Sequence, residues 1–236
     1  MFVATLVRSA FGFGEALVAV PLLAFFMPVK VATPLAVLLS ITVAGIIVIQ
    51  DWNRIHLRSA GWLVAATAVG LPLGIWLLSS SHQLAVKCGL GALILLFSVY
   101  SLLRRKPPHL QDDHLLWLIG CGVLAGVIGG AYGINGPPLV IYGAMRRWSP
   151  QHFRATLQAY FLPASLMGMA GYAISGLWVH AVTRDYLLSL PVAIPAVFVG
   201  RFINHRLSSA AFLKYIYAGL GIAGALLLAR ALTSRV

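Results

Sequence analysis

Gly129-Gly130-Ala131-Tyr132-Gly133-Ile134-Asn135-Gly136-Pro137-Pro138 interrupts an apolar stretch that runs from Leu115 to Met145. A shorter cluster, Ser9-Ala10-Phe11-Gly12-Phe13-Gly14-Glu15, interrupts the stretch Met1 to Phe26 in the same way. With one residue inserted, Ala10, Gly12, Gly14, Leu17 and Val18 match Ala131, Gly133, Gly136, Leu139 and Val140, and Phe11 matches Tyr132. Later, Gly74 matches Gly200 and Lys87 matches Lys214 at a similar offset. Ordered matches of this kind mark an internal repeat.

The surroundings of the two clusters are those of a membrane protein. Of 236 residues 60% are hydrophobic and 9% charged, and the mean hydropathy is +0.92. A soluble globular chain would have about 45–50% apolar and about 25% charged residues, so that class is excluded. At about 20 residues per bilayer-spanning helix plus its loop, the length allows roughly six to eight segments. The remaining apolar stretches are Val31 to Gln50, Ala60 to Leu78, Ala85 to Leu103, Ala155 to Trp178, Tyr186 to Ile203 and Ala211 to Leu232. Four stretches lie on each side of the polar run Arg104 to His114, which carries Pro107 and Pro108 and reads as a linker. The expected fold is an all-α polytopic membrane protein with an N-terminal repeat over residues 1–103, a linker over 104–114 and a C-terminal repeat over 115–236. The first segment of each repeat is broken at its glycine cluster.

The chain carries 17 Lys+Arg against 5 Asp+Glu, formally +12 at pH 7. These basic residues fall in short clusters between apolar runs, which points to retained cytoplasmic loops and to no nucleic-acid partner. Their placement also discriminates between topologies. If all eight stretches cross, Arg54, Arg58, Arg104, Arg105, Lys106, Arg184, Arg230 and Arg235 face Lys30, Lys87, Arg146, Arg147, Arg154, Arg201, Arg206 and Lys214, eight against eight. If each broken stretch dips in and returns, six crossings remain. Arg54, Arg58, Arg104, Arg105, Lys106, Arg146, Arg147, Arg154, Arg201, Arg206 and Lys214 then share one face against Lys30, Lys87, Arg184, Arg230 and Arg235, eleven against five. The second arrangement obeys the positive-inside rule and makes the repeats inverted, the usual plan of secondary transporters. Met1 to Phe11 as a helix rises about 16 Å, half a hydrocarbon core; a start upstream of Met1 would lengthen this arm into a full crossing. Met1 to Leu23 does not read as a cleaved signal peptide, because Arg8 falls inside the apolar run and Glu15 stands where a cleavage region belongs.

Backbone that leaves the helix at membrane depth strands N–H and C=O groups at several kcal/mol each unless protein or water answers them, so a broken helix belongs beside a cavity. Gly12, Gly14, Gly133 and Gly136 have access to positive φ and to close approach of a ligand. Pro137 and Pro138 suit the opening of a new half-helix. The N–H groups and positive dipole end of that half-helix form an anion site, to which Asn135 adds a polar side chain. The competing reading is that the glycines serve only close helix packing.

Arg8 and Glu15 flank the first break, seven residues apart and so on one helical face, about 10 Å apart along the axis; a direct pair requires the backbone to fold at Gly12 and Gly14. Charges at membrane depth are functional candidates by default. For Arg8 the choices are an anion ligand or a snorkelling anchor. For Glu15 they are a proton-carrying carboxylate or a structural partner of Arg8 or of the broken backbone. Arg154, with Gln158 one turn later on the same face, is either a bidentate holder of a sulfonate or carboxylate or a cytoplasmic anchor. No metal site is expected, since no histidines fall at ligand spacing and Cys88 and Cys121 sit in apolar runs. No cofactor is expected either, and an enzyme is disfavoured by the lack of Gly-x-Ser-x-Gly, His-Glu-x-x-His or a carboxylate pair at membrane depth. A Gly-x-x-x-x-Gly-Lys-Ser/Thr loop is also lacking, which leaves ion or proton gradients to drive transport.

At these residues the sequence resembles the sulfite exporter TauE/SafE family. The likeness rests on Arg8-Ser9-Ala10-Phe11-Gly12-Phe13-Gly14, Val20-Pro21-Leu22-Leu23, Leu71-Pro72-Leu73-Gly74, Gly129-Gly130 through Pro137-Pro138, and Phe153-Arg154-Ala155-Thr156-Leu157. It implies a multi-pass carrier of the bacterial inner membrane, in a family associated with sulfite, organosulfonates and related small organic anions. Two features depart from the family pattern: the first segment is short, and Glu15 stands where a third glycine is common. The expected function is a secondary transporter working by alternating access around the paired glycine breaks, with the bilayer, a small anion and a coupling proton or ion as its partners. A homo-oligomer is compatible with the sequence. The alternative is a non-transporting membrane assembly factor or receptor.

Overall fold

Glycines and polar interfacial turns, more than apolarity, set where the helices of this chain begin and end. The computed structural model describes residues 1–51, 57–80, 83–103, 115–146 and 150–206, with scattered positions between 218 and 229. Nine α-helices are described: α1 (Phe2–Phe11), α2 (Glu15–Leu23), α3 (Val29–Asp51), α4 (Leu57–Ser79), α5 (Gln83–Leu103), α6 (Leu115–Tyr132), α7 (Gly136–Met145), α8 (Pro150–Ile174) and α9 (His180–Arg206). The expected linker 104–114 and most of the stretch Ala211 to Leu232 lie outside the described residues.

Helix α8 starts five residues before the apolar stretch Ala155 to Trp178 and α9 six before Tyr186. The first turn of α8 is largely polar, and Pro150 suits a first helical position because its missing N–H would have no partner there. Helices α3, α4, α5, α6 and α9 are long and apolar enough to cross a membrane. By contrast α1, α2 and α7 have 10, 9 and 10 residues, which at 1.5 Å per residue is about half a hydrocarbon core.

Helix α1 stops at Gly12, whose φ of 84° is left-handed and whose N–H returns to the Arg8 carbonyl at 2.6 Å. Gly14, at φ 100°, precedes α2. Helix α6 stops at Gly133, φ 67°, whose N–H returns to the Gly129 carbonyl at 2.7 Å. Only glycine takes such a conformation without the roughly 1–2 kcal/mol penalty of a Cβ.

Helix α6 packs along α4, and α1 along α9, while α3 meets α8 between them. The α4–α6 seam brings backbone against backbone: a Cβ on Gly70 would overlap the Val123 carbonyl, one on Gly74 the Val127 carbonyl and one on Gly126 the Thr67 carbonyl. Close approach through small residues is how helices associate where lipid offers no hydrophobic drive. On the other seam Gly200 lies against the Leu6 carbonyl and the Ser9 side chain, and Ser9 Oγ donates to the Val197 carbonyl. Gly74 meets Val127 and Gly130 where Gly200 meets Leu6 and Ser9. One and the same offset separates Leu6 from Val127 and Ser9 from Gly130.

This packing predicts a contrast among glycine-to-alanine variants read by thermal unfolding in detergent. Gly74→Ala should lose about 1–3 kcal/mol through overpacking. Gly120→Ala, where a Cβ meets nothing within 4 Å, should stay neutral or gain up to about 1 kcal/mol of helix propensity.

Candidate functional site

Ending a helix away from water leaves its last carbonyls and the next helix's first N–H groups in need of partners. Helix α8 supplies much of the answer. Gln158 donates from Nε2 to the Gly12 carbonyl at 2.6 Å. Tyr172 donates its hydroxyl to the Gly129 and Gly130 carbonyls at 3.0 and 2.8 Å, near the end of α6. Asn135 donates from Nδ2 to the Tyr160 hydroxyl at 3.3 Å. Tyr160 pairs with Thr67 Oγ1 at 2.7 Å, and Thr67 donates to the Gly122 carbonyl at 3.0 Å. Since the Thr67 proton is committed to that carbonyl, Tyr160 is the donor to Thr67, and the relay runs in one direction from the second break to α4 and α6.

At the first break the chain folds back so that Glu15 reaches α1. Arg8 Nη1 donates to Glu15 Oε2 at 2.7 Å, and Thr5 Oγ1 donates to Glu15 Oε1 at 3.2 Å. Both members of the pair are buried, Arg8 being 3% and Glu15 2% exposed. The rest of the guanidinium is held as well: Ser40 Oγ accepts from Nη1, Gln158 Oε1 accepts from Nε and Nη2 at 3.4 and 3.1 Å, and the Phe161 ring lies 4.9 Å from Cζ. Ser165 meets Ser40 at 3.1 Å. Gln158 therefore grips the guanidinium with its oxygen and the broken backbone with its nitrogen.

One cavity receives both breaks. Arg8, Gly14, Glu15 and Ser40 line one part, and Gly133, Asn135, Gly136 and Pro137 another, with Phe13 and Phe161 among the aromatic lining. Its free volume is about 20 Å³, room for about one water.

Residues 1–228 match the description "Sulfite exporter TauE/SafE". The chain belongs to the sulfite exporter TauE/SafE family. With five helices able to cross a membrane, this TauE/SafE protein is a multi-pass membrane transport protein. It is 25% identical over 232 residues to the probable sulfite/organosulfonate exporter TauE of Cupriavidus necator, covering 95% of this chain and 90% of the relative. No solved structure matches it.

Of the residues singled out in the sequence of this TauE/SafE protein, Arg8, Gly14, Glu15, Gly133, Asn135, Gly136 and Pro137 line the cavity. Gln158 joins them through Arg8, and Gly12 through its carbonyl. Arg154 belongs to α8, but its side chain lies outside the described residues. Gly136 opens α7 and is not among the described glycines with positive φ, which are Gly12, Gly14, Gly133 and Gly176. Pro137 and Pro138 follow it in the first turn, so the α7 N-terminus keeps its dipole but lacks two N–H donors. Sequence reasoning missed Thr5, Ser40, Tyr160, Phe161 and Tyr172; isolated hydroxyls in apolar helices carry no spacing signal of their own.

Two measurements follow from this geometry. Gly133→Ala should lose about 1–2 kcal/mol, having both positive φ and a Cβ 3.0 Å from Val37 Cγ2, while Gly136→Ala, whose Cβ would meet only Phe13 at 3.7 Å, should change by less than about 0.5 kcal/mol. Arg8→Met strands a buried carboxylate and should cost about 3–5 kcal/mol. In a double-mutant cycle, Arg8→Met with Glu15→Gln should cost clearly less than the two single changes summed.

Proposed function

We propose that this protein is a secondary transporter of a small oxyanion, sulfite or an organosulfonate, in a bacterial inner membrane. The observation that carries the reading is the shared cavity: two helix breaks from different halves of the chain and a buried guanidinium line one space. A guanidinium recognises a sulfonate or sulfite through paired N–H groups, and helix N-termini add favourable dipoles. The name of the Cupriavidus necator relative points to the same substrates.

The same reading takes residues 1–103 and 115–236 as inverted repeats of three crossings and one broken, re-entrant segment each. The reciprocal contacts of Gly74 and Gly200 and the pairing of α1 with α9 and of α6 with α4 support the repeat itself. Alternating access then consists of the two repeats rocking about the central cavity. In this scheme Arg8 is the primary anion ligand, with Asn135 and the backbone at Gly12, Gly14, Gly133, Gly136 and Pro137 around it. Gln158 positions Arg8, Arg154 one turn earlier on α8 is a second cation for the anion's path, and Glu15 carries a coupling proton.

Flux into proteoliposomes against sulfite, sulfoacetate, sulfate, carboxylates and metal cations, with and without a pH gradient, tests this directly. Sulfite should enter, and Arg8→Ala should lower the rate at least about tenfold, the worth of a charge-assisted hydrogen bond. Glu15→Gln should abolish accumulation driven by the pH gradient. Cation flux without anion flux would overturn the reading, and no flux at all would favour an assembly factor or receptor.

A further inference from the structure

We infer that the Glu15 carboxylate occupies the seat of the transported anion, so that an anion binds at Arg8 only when Glu15 takes up a proton and gives up its place. This rests on the anion-transport reading above and adds how the site is kept shut and what charge it accepts. Glu15 holds both attractions that an oxyanion would use. Its Oε2 takes the N–H of Arg8 Nη1 at 2.7 Å, and as the first residue of α2 it stands at the positive end of that half-helix. It also faces the cavity, whose remaining free volume of about 20 Å³ is less than an oxyanion needs. Seat and occupant are only seven residues apart, joined through Gly12 and Gly14, both at positive φ. That connection lets the carboxylate swing without moving a long helix.

Among the described residues the second break has no such pair. The offset that links Leu6 to Val127 sets Gly129 opposite Arg8, and a Cβ there would overlap the Asn135 amide; Pro137 follows where Glu15 has its counterpart. Among the described residues, the fixed charge of the cavity lining is that of Arg8 and Glu15. The lining is neutral while Glu15 is ionised and carries one positive charge once Glu15 is protonated. The groups facing Glu15 are Arg8 and Thr5 of α1. The side chains that hold Arg8 from α3 and α8, Ser40 and Gln158, are neutral. A monoanion entering with one proton leaves the site neutral, whereas a dianion leaves it with a net negative charge in a poorly hydrated space, which is costly. The site thus selects monoanions and takes up a proton with each.

The test is binding of methanesulfonate, a monoanion throughout the working pH range, to the full-length detergent-solubilised chain by calorimetry and thermal shift. Wild type should bind more tightly as pH falls, with proton uptake measurable from buffer-dependent heats. Glu15→Gln should bind at least about tenfold more tightly than wild type at pH 7.5, independently of pH within about twofold, and should gain more thermal stability from the anion than wild type does. If Glu15→Gln fails to fold without anion, the wild-type pH series decides alone. Wild-type binding independent of pH, or equal affinity in the variant, would overturn the inference while leaving anion transport standing. If neither protein binds and the proteoliposomes show no anion flux, both fall together.

Discussion

A backbone amide in a bilayer has no water to turn to, and that constraint organises this molecule. Two helices stop at Gly12 and Gly133, so their last carbonyls need partners from the protein itself. Helix α8 answers both, with Gln158 at the first break and Tyr172 at the second. Asn135 passes the demand on through Tyr160 and Thr67 to the Gly122 carbonyl. A transmembrane protein keeps such an arrangement only where the interrupted backbone has work to do, because an unbroken helix meets the same demand with no side chains at all.

The second constraint is charge. Arg8 lies fully inside the protein, and a guanidinium there is tolerable only with its N–H groups engaged. Its partners come from three directions: Glu15 from beyond the break, Ser40 from α3 and Gln158 from α8. The polar network is thus centred on one cation, and a small anion brought to that cation meets a site already assembled around it. A lysine would lack the fork that lets Nε and Nη2 share one acceptor while Nη1 serves two others.

The sequence made the membrane class plain through its apolar stretches and scarce charges, and helices α1 and α6 stop inside its two glycine clusters, at Gly12 and Gly133. Arg8 and Glu15 stood out because a charge in an apolar run is rare, and their pairing followed from fold-back at Gly12 and Gly14. Gln158 was visible only as a neighbour of Arg154, not as the residue that grips Arg8. The hydroxyls of Ser40, Tyr160 and Tyr172 were not legible. Serine and tyrosine are ordinary in membrane helices, and only the approach of α3 and α8 in space gives these their partners.

The pairing of α1 with α9 bears on how the chain is made. Helix α1 is synthesised well before α9, on which it packs, so it must wait in the bilayer while the intervening segments are made. An arginine waiting there alone would invite expulsion from the lipid. Glu15 arrives seven residues later and is the one strong partner of Arg8 available from the outset; Gln158 comes only after most of the chain has been inserted. The ion pair at the cavity is then also a birth companion, keeping the first helix presentable to lipid until its proper neighbours exist.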